Sequence, residues 1–554
     1  MKQTIKKSLC AMVAAVMLVC MTVIPAKAAS TGGVCGDVSW TYSYDTGTMT
    51  ISKKSGTILT TNDTMKNLNP KKIVISSGIT EIGGKAFSGW NITSVSIPDG
   101  VVKINWYAFQ NCRNLKEITI PKTVKEAGYL FDNSAVEKVT FASGMKVIPD
   151  DICSRAYNLK TVVMPNSVTE IGGSAFSNSG ISSIKLHEGI TKINWYAFKG
   201  CKNLKEITIP KTVKEAGFLI DDSAVEKITF TTGMKVIPDD ICSRAYNLKT
   251  VVMPSSVTEI GGSAFSNSGI SSIKLHTGIT KINWYAFKGC KNLKKITIPK
   301  TVKEAGYLID DSAVEKVTFS TGIKEIPSDI CSRAYNLKTV VIPSTVEKIG
   351  NSAFRSSSIE NIVLPKSLKE IDWYAFENCE KLKSVKIYGD TTVGLKALNG
   401  CSKVTISGYV NSDAWRYAKE NNISFKKIGT LPKVGYKKSL SGVTYKVTKT
   451  GMLVGTVSVV KLDKNQKSVT IPATVTFNGC TFKVTEISAK AFYKKTKLKT
   501  INIKSNNIKS IGKNAFTGIN KKATIVVPKA KYSAYKKLLK SSTGYKKTMT
   551  IKKK

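Results

Sequence analysis

The sequence predicts a β-rich leucine-rich repeat solenoid with one short strand in each coil of 22 or 23 residues, and three observations predict it. Residues 103–191 return in nearly the same form as 192–280 and again as 281–369. Landmarks keep step through these copies: Trp106, Trp195, Trp284 and Trp373 are separated by 89, as are Cys112, Cys201, Cys290 and Cys379. Within the unit a bulky position recurs at Phe87, Phe109, Phe131, Cys153 and Phe176, at steps of 22, 22, 22 and 23 that sum to 89. A period of about 20–29 residues with Leu and Ile at fixed offsets is the signature of coils that each supply one strand to a continuous stack.

The strand of a coil is legible in residues 115–121, where Leu115, Ile118 and Ile120 are expected to point inward. Pro121 ends the strand where its missing N–H is not needed by the ladder. Coils of this kind, about fifteen in number, are expected over residues 80–428. With strands about 4.8 Å apart they would make an array about 70 Å long. Such an array buries its core coil against coil and offers area more than a pocket; a monomer is expected.

The coil text Val-Thr-Glu-Ile-Gly-Gly-Ser-Ala-Phe at residues 168–176, followed by a strand ending in Ile-Pro, resembles the BspA-like leucine-rich repeat proteins of bacteria. The resemblance covers most of the mature chain. It implies a secreted or surface-attached protein, in a family some of whose members act as adhesins for host matrix or other bacteria. Fold alone does not fix function.

The ends bracket the array. Lys2, Lys6 and Lys7 precede an apolar run from Leu9 to Ile24 and the small-residue site Ala26, Lys27, Ala28, so residues 1–28 read as a signal peptide. That run is shorter than the roughly 20 residues of a membrane span. No second long apolar stretch follows and no Leu-Pro-x-Thr-Gly sorting signal occurs. The expectation is therefore secretion, with no transmembrane segment after cleavage and non-covalent association with the cell wall. Residues 29–79 alternate as short strands around Cys35–Trp40 and Gly47–Ile51 and are expected to cap the first coil. A short amphipathic helix from Ser412 or Asp413, with Ala414, Trp415 and Ala418 on its apolar side, is expected to cap the other end. Residues 429–432 read as a linker to a distinct leucine-rich-like module, 429–554, with coil marks at Phe492 and Phe516. From residue 430 onward there are 29 Lys, no Arg and only Asp463 and Glu486 as acids, a net +27 of the chain's +46.

Twelve cysteines fall to ten without Cys10 and Cys20 of the leader. Cys153, Cys242 and Cys331 stand where other coils carry Phe, the place of a small buried hydrophobe. Successive members of the two Cys series are 41 or 48 residues apart, about two coils, too far to bridge. Free buried thiols are expected, with the state of Cys35, Cys401 and Cys480 left open.

No catalytic constellation converges in the sequence, and no enzyme, cofactor or metal site is expected. The only histidines, His187 and His276, occupy one repeat position and read as surface or strand-edge residues. The acid pairs Asp150–Asp151, Asp221–Asp222, Asp239–Asp240 and Asp310–Asp311 sit beside turns, where Asp satisfies backbone donors. No spaced loop supplies the six to eight oxygens calcium requires. Two features remain. Trp106–Tyr107, Trp195–Tyr196, Trp284–Tyr285 and Trp373–Tyr374 replace the Gly-Gly or Asp-Asp of other coils and are expected to be outward or half-exposed. Four coils apart, at steps of about 19 Å, they suit a protein or polymer partner, against the simpler reading that they are inherited packing. Lys494, Lys495, Lys497, Lys499, Lys521, Lys522, Lys536 and Lys537 offer a polycationic surface for an anionic polymer such as teichoic acid or an anionic glycan. Lys without Arg or recognition motifs argues against specific nucleic-acid binding. The expected function is an adhesin-like binding protein for host matrix or bacterial surface proteins or glycans, with a wall-organising polysaccharide-binding protein as the alternative.

Overall fold

The computed structural model describes residues 29–54, 57–389, 391–451 and 455–554. The expected leader, residues 1–28, lies outside the described residues. The fold is a β-solenoid of about 22 turns, more than the fifteen expected, because the regions at both ends also wind.

Most coils contribute two strands rather than one. A three- or four-residue strand carries the Leu-x-x-Ile-x-Ile text, as in Glu117–Ile120, and a two-residue strand precedes the bulky position, as in Lys103–Ile104. Both stack parallel and in register. Lys138, Val139, Thr140 and Phe141 lie opposite Glu117, Ile118, Thr119 and Ile120 of the preceding coil. The longer-strand sheet is interrupted at the fourth coil of the first two copies, where residues 181–187 and 270–276 have no strand structure, while Asn361–Val363 of the third copy forms a strand.

Side chains of the inward positions form the core. Leu115, Ile118 and Ile120 are buried as the pattern requires, and Phe87 stacks on Phe109 with ring centroids 5.5 Å apart. Where Cys153 replaces Phe the missing volume is made up from the strand column: Phe141 reaches edge-on to Phe176, 6.4 Å away. Phe319 and Phe354 repeat the arrangement beside Cys331, 6.5 Å apart. Cys153 and Cys331 are fully buried.

Each coil turns through two left-handed residues four apart, such as Ser174 and Asn178, or Tyr196 and Gly200. Asparagines at the strand entry tie coils together: the amides of Asn158, Asn247 and Asn336 donate to the carbonyls of Ser134, Ser223 and Ser312 one coil back. At Gly180 and Gly269 a Cβ would stand 2.0 Å from the carbonyl oxygen of Tyr157 or Tyr246, so neighbouring backbones meet there at closest approach.

The N-terminal segment is an antiparallel meander of strands Ser30–Cys35, Val38–Ser43 and Thr48–Lys53, and the last pairs parallel with Lys72–Ile75. At the other end, helix Asp413–Glu420 is capped by the Ser412 hydroxyl, which accepts from the Trp415 amide. Its buried aromatic is Tyr417, whose hydroxyl accepts from the Leu398 N–H at 2.9 Å, while Trp415 is only half-buried. The apolar side therefore runs Ala414, Tyr417, Ala418, a spacing of three and four that Trp415 does not fit. Residues 429–432 differ from a free linker: strand Ser424–Thr430 pairs with Thr405–Val410, and Leu431 is buried in the core of the following module. That module combines antiparallel strands, Val443–Lys449 against Thr456–Leu462, with further parallel coils in which Phe492 stacks on Phe516 at 5.7 Å. Its helix Tyr532–Leu538 anchors through Tyr535, whose hydroxyl donates to the Ser505 carbonyl and accepts from the Ile508 N–H.

None of the ten cysteines among the described residues is in a disulfide, and nine are buried. Cys379 and Cys401 are the pair that falls outside the two-coil spacing, since they occupy one position in adjacent coils. Burial pushes the Cys201 and Cys290 thiols from 9.0 up to about 11. A group whose pKa is raised on folding stabilises the fold below its unfolded value and loses that contribution as pH climbs through the folded one. Melting temperature is thus expected to fall between about pH 9 and 11, and Cys201→Ala with Cys290→Ala should flatten that part of the curve in thermal melts. Gly269→Ala should cost about 1–3 kcal/mol, read in the same melts, because backbone cannot yield as a side chain can.

Candidate binding surface

Three of the four tryptophans, Trp106, Trp195 and Trp284, precede the one shortened coil of the 89-residue unit; after Trp373 the interval from Val393 to Leu398 is the ordinary five steps. From Ile104 to Phe109 the chain takes five steps, but from Ala127 to Phe131 it takes four, and Gly128 sits at the contraction. The Trp106 indole lies across that glycine, so close that a Cβ on Gly128 would be 2.5 Å from Cδ1. Gly217, Gly306 and Gly394 receive Trp195, Trp284 and Trp373 in the same way, each with an indole atom 2.8 Å from the position of a Cβ. One side of each indole is thereby backed by the next coil. The rest faces outward: the tryptophans are 59%, 63%, 61% and 55% exposed in chain order.

Aromatic neighbours extend each platform. Trp106 meets Tyr129 edge-on at 5.6 Å, and Tyr107 stacks on Tyr129 at 5.9 Å. Phe218 plays the part of Tyr129 for Trp195 and Tyr196, at 5.9 and 5.5 Å, and Tyr307 for Trp284 and Tyr285, at 5.7 and 5.5 Å. Cations border the rings, with Arg155 over Tyr129 at 5.4 Å and Lys199 over Tyr196 at 4.7 Å. At the fourth platform Leu395 follows Gly394 and no such ring is added. Tyr129, Phe218 and Tyr307 were not among the residues singled out in the sequence; the signal that marks them is the four-step spacing of their coils.

The tyrosines pay a conformational cost. Tyr107, Tyr196, Tyr285 and Tyr374 have φ of 64°, 63°, 64° and 57°, and Tyr129, Phe218 and Tyr307 have 45°, 47° and 47°. Bulky residues rarely occupy this left-handed region, which suits Gly and Asn. Coils elsewhere put Ser174 or Asp151 at the same turn position.

Beside the platforms the receding short coil leaves a notch. The one at Trp284 has a volume of about 390 Å³ and is lined by Asn283, Lys303, Glu304 and Asp329 among others. The one at Trp106 has about 240 Å³, lined by Asn105, Lys125, Glu126 and Asp150 among others. The Asn105 amide is held by Glu81 Oε1 at 2.6 Å and the Ile82 carbonyl at 3.0 Å, and Lys103 pairs with Glu126 at 2.9 Å.

The other sequence-marked residues separate from this surface. Asp150 and Asp239 accept from the N–H groups of Gly173 and Gly262 at 2.5 and 2.6 Å, the turn role expected for them. Asp221 differs: it is fully buried and ion-paired with Lys199 at 3.4 Å and Arg244 at 3.3 Å. His187 holds a turn, its Nδ1 accepting from the Gly189 N–H at 3.0 Å with Nε2 3.1 Å from the Pro165 carbonyl. Among the described residues no group of three or more His, Cys, Asp or Glu could hold a metal ion, and no helix is long and apolar enough to cross a membrane.

In the C-terminal module Lys494, Lys497, Lys499, Lys521, Lys522, Lys536 and Lys537 are exposed, and Lys495 is half-buried with its Nζ 3.4 Å from the Asp463 carbonyl. Lys499 occupies the residue before a coil strand, and its N–H bonds to the carbonyl of Lys467 at the same place one coil back. In the main array that column alternates: Glu137 lies between Lys116 and Lys160, 2.7 Å from each. Those two ammonium groups hold the Glu137 carboxyl down to about 2. The C-terminal lysine column has no carboxylate to alternate with.

Among solved structures, a leucine-rich repeat protein from Bacteroides ovatus is 24% identical with a TM-score of 0.50, the match covering 72% of this chain and 99% of that one. A leucine rich cell surface protein from Faecalibacterium prausnitzii is 18% identical over 72% of this chain and 95% of its own, with a TM-score of 0.31. The pneumococcal vaccine antigen PcpA is 16% identical over 72% of this chain and 98% of its own, with a TM-score of 0.28. No curated protein sequence matches. The family description "BspA type Leucine rich repeat region" matches in six copies, over residues 57–180, 127–219, 218–330, 307–412 and 463–553. With parallel coils wound through these same residues, the chain belongs to the BspA-type leucine-rich repeat family.

Proposed function

We propose that this is a secreted or surface-held, non-enzymatic binding protein, adhesin-like, whose repeat array engages a protein or glycan partner through the Trp–Tyr platforms. The observation that carries the reading is the combination of exposure and strain. Seven aromatic residues occupy left-handed turn positions, at a cost of order 1–3 kcal/mol each, and flank tryptophans more than half exposed. Packing alone would be served as well by Asn or Gly at those turns. Large rigid rings with polar tips are the residues that carry contact energy at interfaces. Recurrence multiplies weak sites on a repeating partner.

The second part of the proposal concerns the C-terminal module. Its exposed lysines, without compensating acids, would hold the protein to an anionic envelope polymer such as teichoic acid by charge. A module this basic attracts any polyanion at long range, more weakly as salt screens it.

Tyr196→Asn with Tyr285→Asn should leave the melting temperature unchanged or raise it, while weakening capture of the full chain on host matrix or whole bacteria. A clear fall in melting temperature with unchanged capture would show that the rings serve packing. Retention on isolated cell walls should fall steeply with added salt, and replacing Lys494, Lys497, Lys499, Lys521 and Lys522 by Gln should lower both retention and its salt dependence. Retention that survives molar salt would contradict the electrostatic attachment.

A further inference from the structure

The notches at Trp106 and Trp284 are more specific than a flat contact surface. Each has one wall made by a backed, outward-facing indole and a rim that offers opposite charges side by side. At Trp106 the charged lining is Lys103, Lys125, Glu126 and Asp150, two cations and two anions, with Lys103 and Glu126 already paired. At Trp284 it is Lys281 and Lys303 with Glu304, Glu325 and Asp329. Neither rim is of one sign, so neither selects a polyanion or a polycation by charge alone. Mixed rims suit groups that both donate and accept hydrogen bonds at one atom, which is the property of a hydroxyl: carboxylate oxygens accept from its O–H while ammonium N–H groups donate to its oxygen. The indole face carries negative quadrupolar charge and attracts weakly positive C–H groups. A pyranose ring combines the two, with an apolar C–H face and a rim of hydroxyls.

We propose that each notch is a subsite for a sugar ring of an uncharged polysaccharide, the ring stacked on the indole and its hydroxyls held by the Lys–Glu rim. This deepens the reading of the array as a binding surface and rests on it. Trp195 stands four coils beyond Trp106, about 19 Å on by strand spacing, with Gly217 and Phe218 beneath it as Gly128 and Tyr129 lie beneath Trp106. A polymer lying along the coils therefore meets equivalent platforms at a fixed interval, while a single sugar meets one. The glycine under each indole is a positioning residue: it lets the ring lie flat against the next coil and so fixes which side faces out.

The test is binding of the full chain to soluble neutral oligosaccharides of defined length, hexamers and longer of β-linked glucose, xylose and N-acetylglucosamine, by calorimetry and tryptophan fluorescence at physiological salt. At least one series should bind, with affinity rising with length and little dependence on salt. Trp106→Ala and Trp284→Ala should each weaken binding roughly tenfold, and Trp→Phe at the same sites should recover part of it. Gly306→Ala, which displaces the Trp284 ring without removing it, should weaken binding with the melting temperature nearly unchanged. The inference is overturned if no neutral series binds, or if binding is indifferent to these tryptophans. Should no glycan bind while Trp variants still lose capture on host matrix, the saccharide assignment fails and the wider reading of the aromatic surface stands. Should Trp variants alter neither, both fail.

Discussion

In a parallel, in-register stack every position rests on the same position of the coils before and after it. Like therefore meets like unless the sequence prevents it, and each column of side chains has to be compatible with itself at strand spacing, about 4.8 Å. Apolar columns satisfy this directly, as the stacked phenylalanines do. Charged and bulky columns satisfy it poorly, and Lys295 opposite Lys316 is a place where like charges are left facing. Elsewhere alternation resolves them: Lys116, Glu137 and Lys160 on one column, Glu117 and Lys138 on another, Lys199, Asp221 and Arg244 beside the core. Cys201 rests against Ser179, Trp195 against Gly217, and Asp150 against the N–H of Gly173.

The four-coil unit follows from that constraint. A coil with an outsized side chain needs a neighbour that recedes, and the coil after that one reaches forward with a carboxylate to the N–H of the Gly-Gly coil that follows it. The Trp coil, the shortened coil, the Cys coil and the Gly-Gly coil form a closed cycle of such accommodations. The same cycle produces the exposed surface, because the short coil that makes room for the indole also opens the notch beside it.

Much of this was readable beforehand. Position-specific periodicity fixed the coil length, the inward residues and the outward placement of the tryptophans, since a burial pattern is a property of single positions. What was not readable depends on pairs of coils. The two-residue strand in each coil is too short to show a period. The burial of Asp221 could not be told from the exposed turn role of Asp150, because both occur as an acid pair; only Lys199 and Arg244 on the flanking coils distinguish them. In the helix Asp413–Glu420 the spacing from Ala414 favours Tyr417 over Trp415 for the buried side. In the C-terminal region the coil marks at Phe492 and Phe516 are legible, while lysines mask the apolar alternation of strands such as Thr550–Lys553.

The closed cycle has a consequence for how such a chain can change in length. Removing or adding a whole 89-residue block leaves every column matched at the new junction, since the coils brought together are those that already neighbour one another. Removing the shortened coil alone instead sets an indole against a coil with no glycine to receive it, and brings Lys116 and Lys160, which Glu137 separates, next to each other on one column. Gene-level slippage in this array is thus tolerated in steps of four coils and penalised otherwise, so natural variants should differ in reach by discrete increments while keeping each contact surface intact.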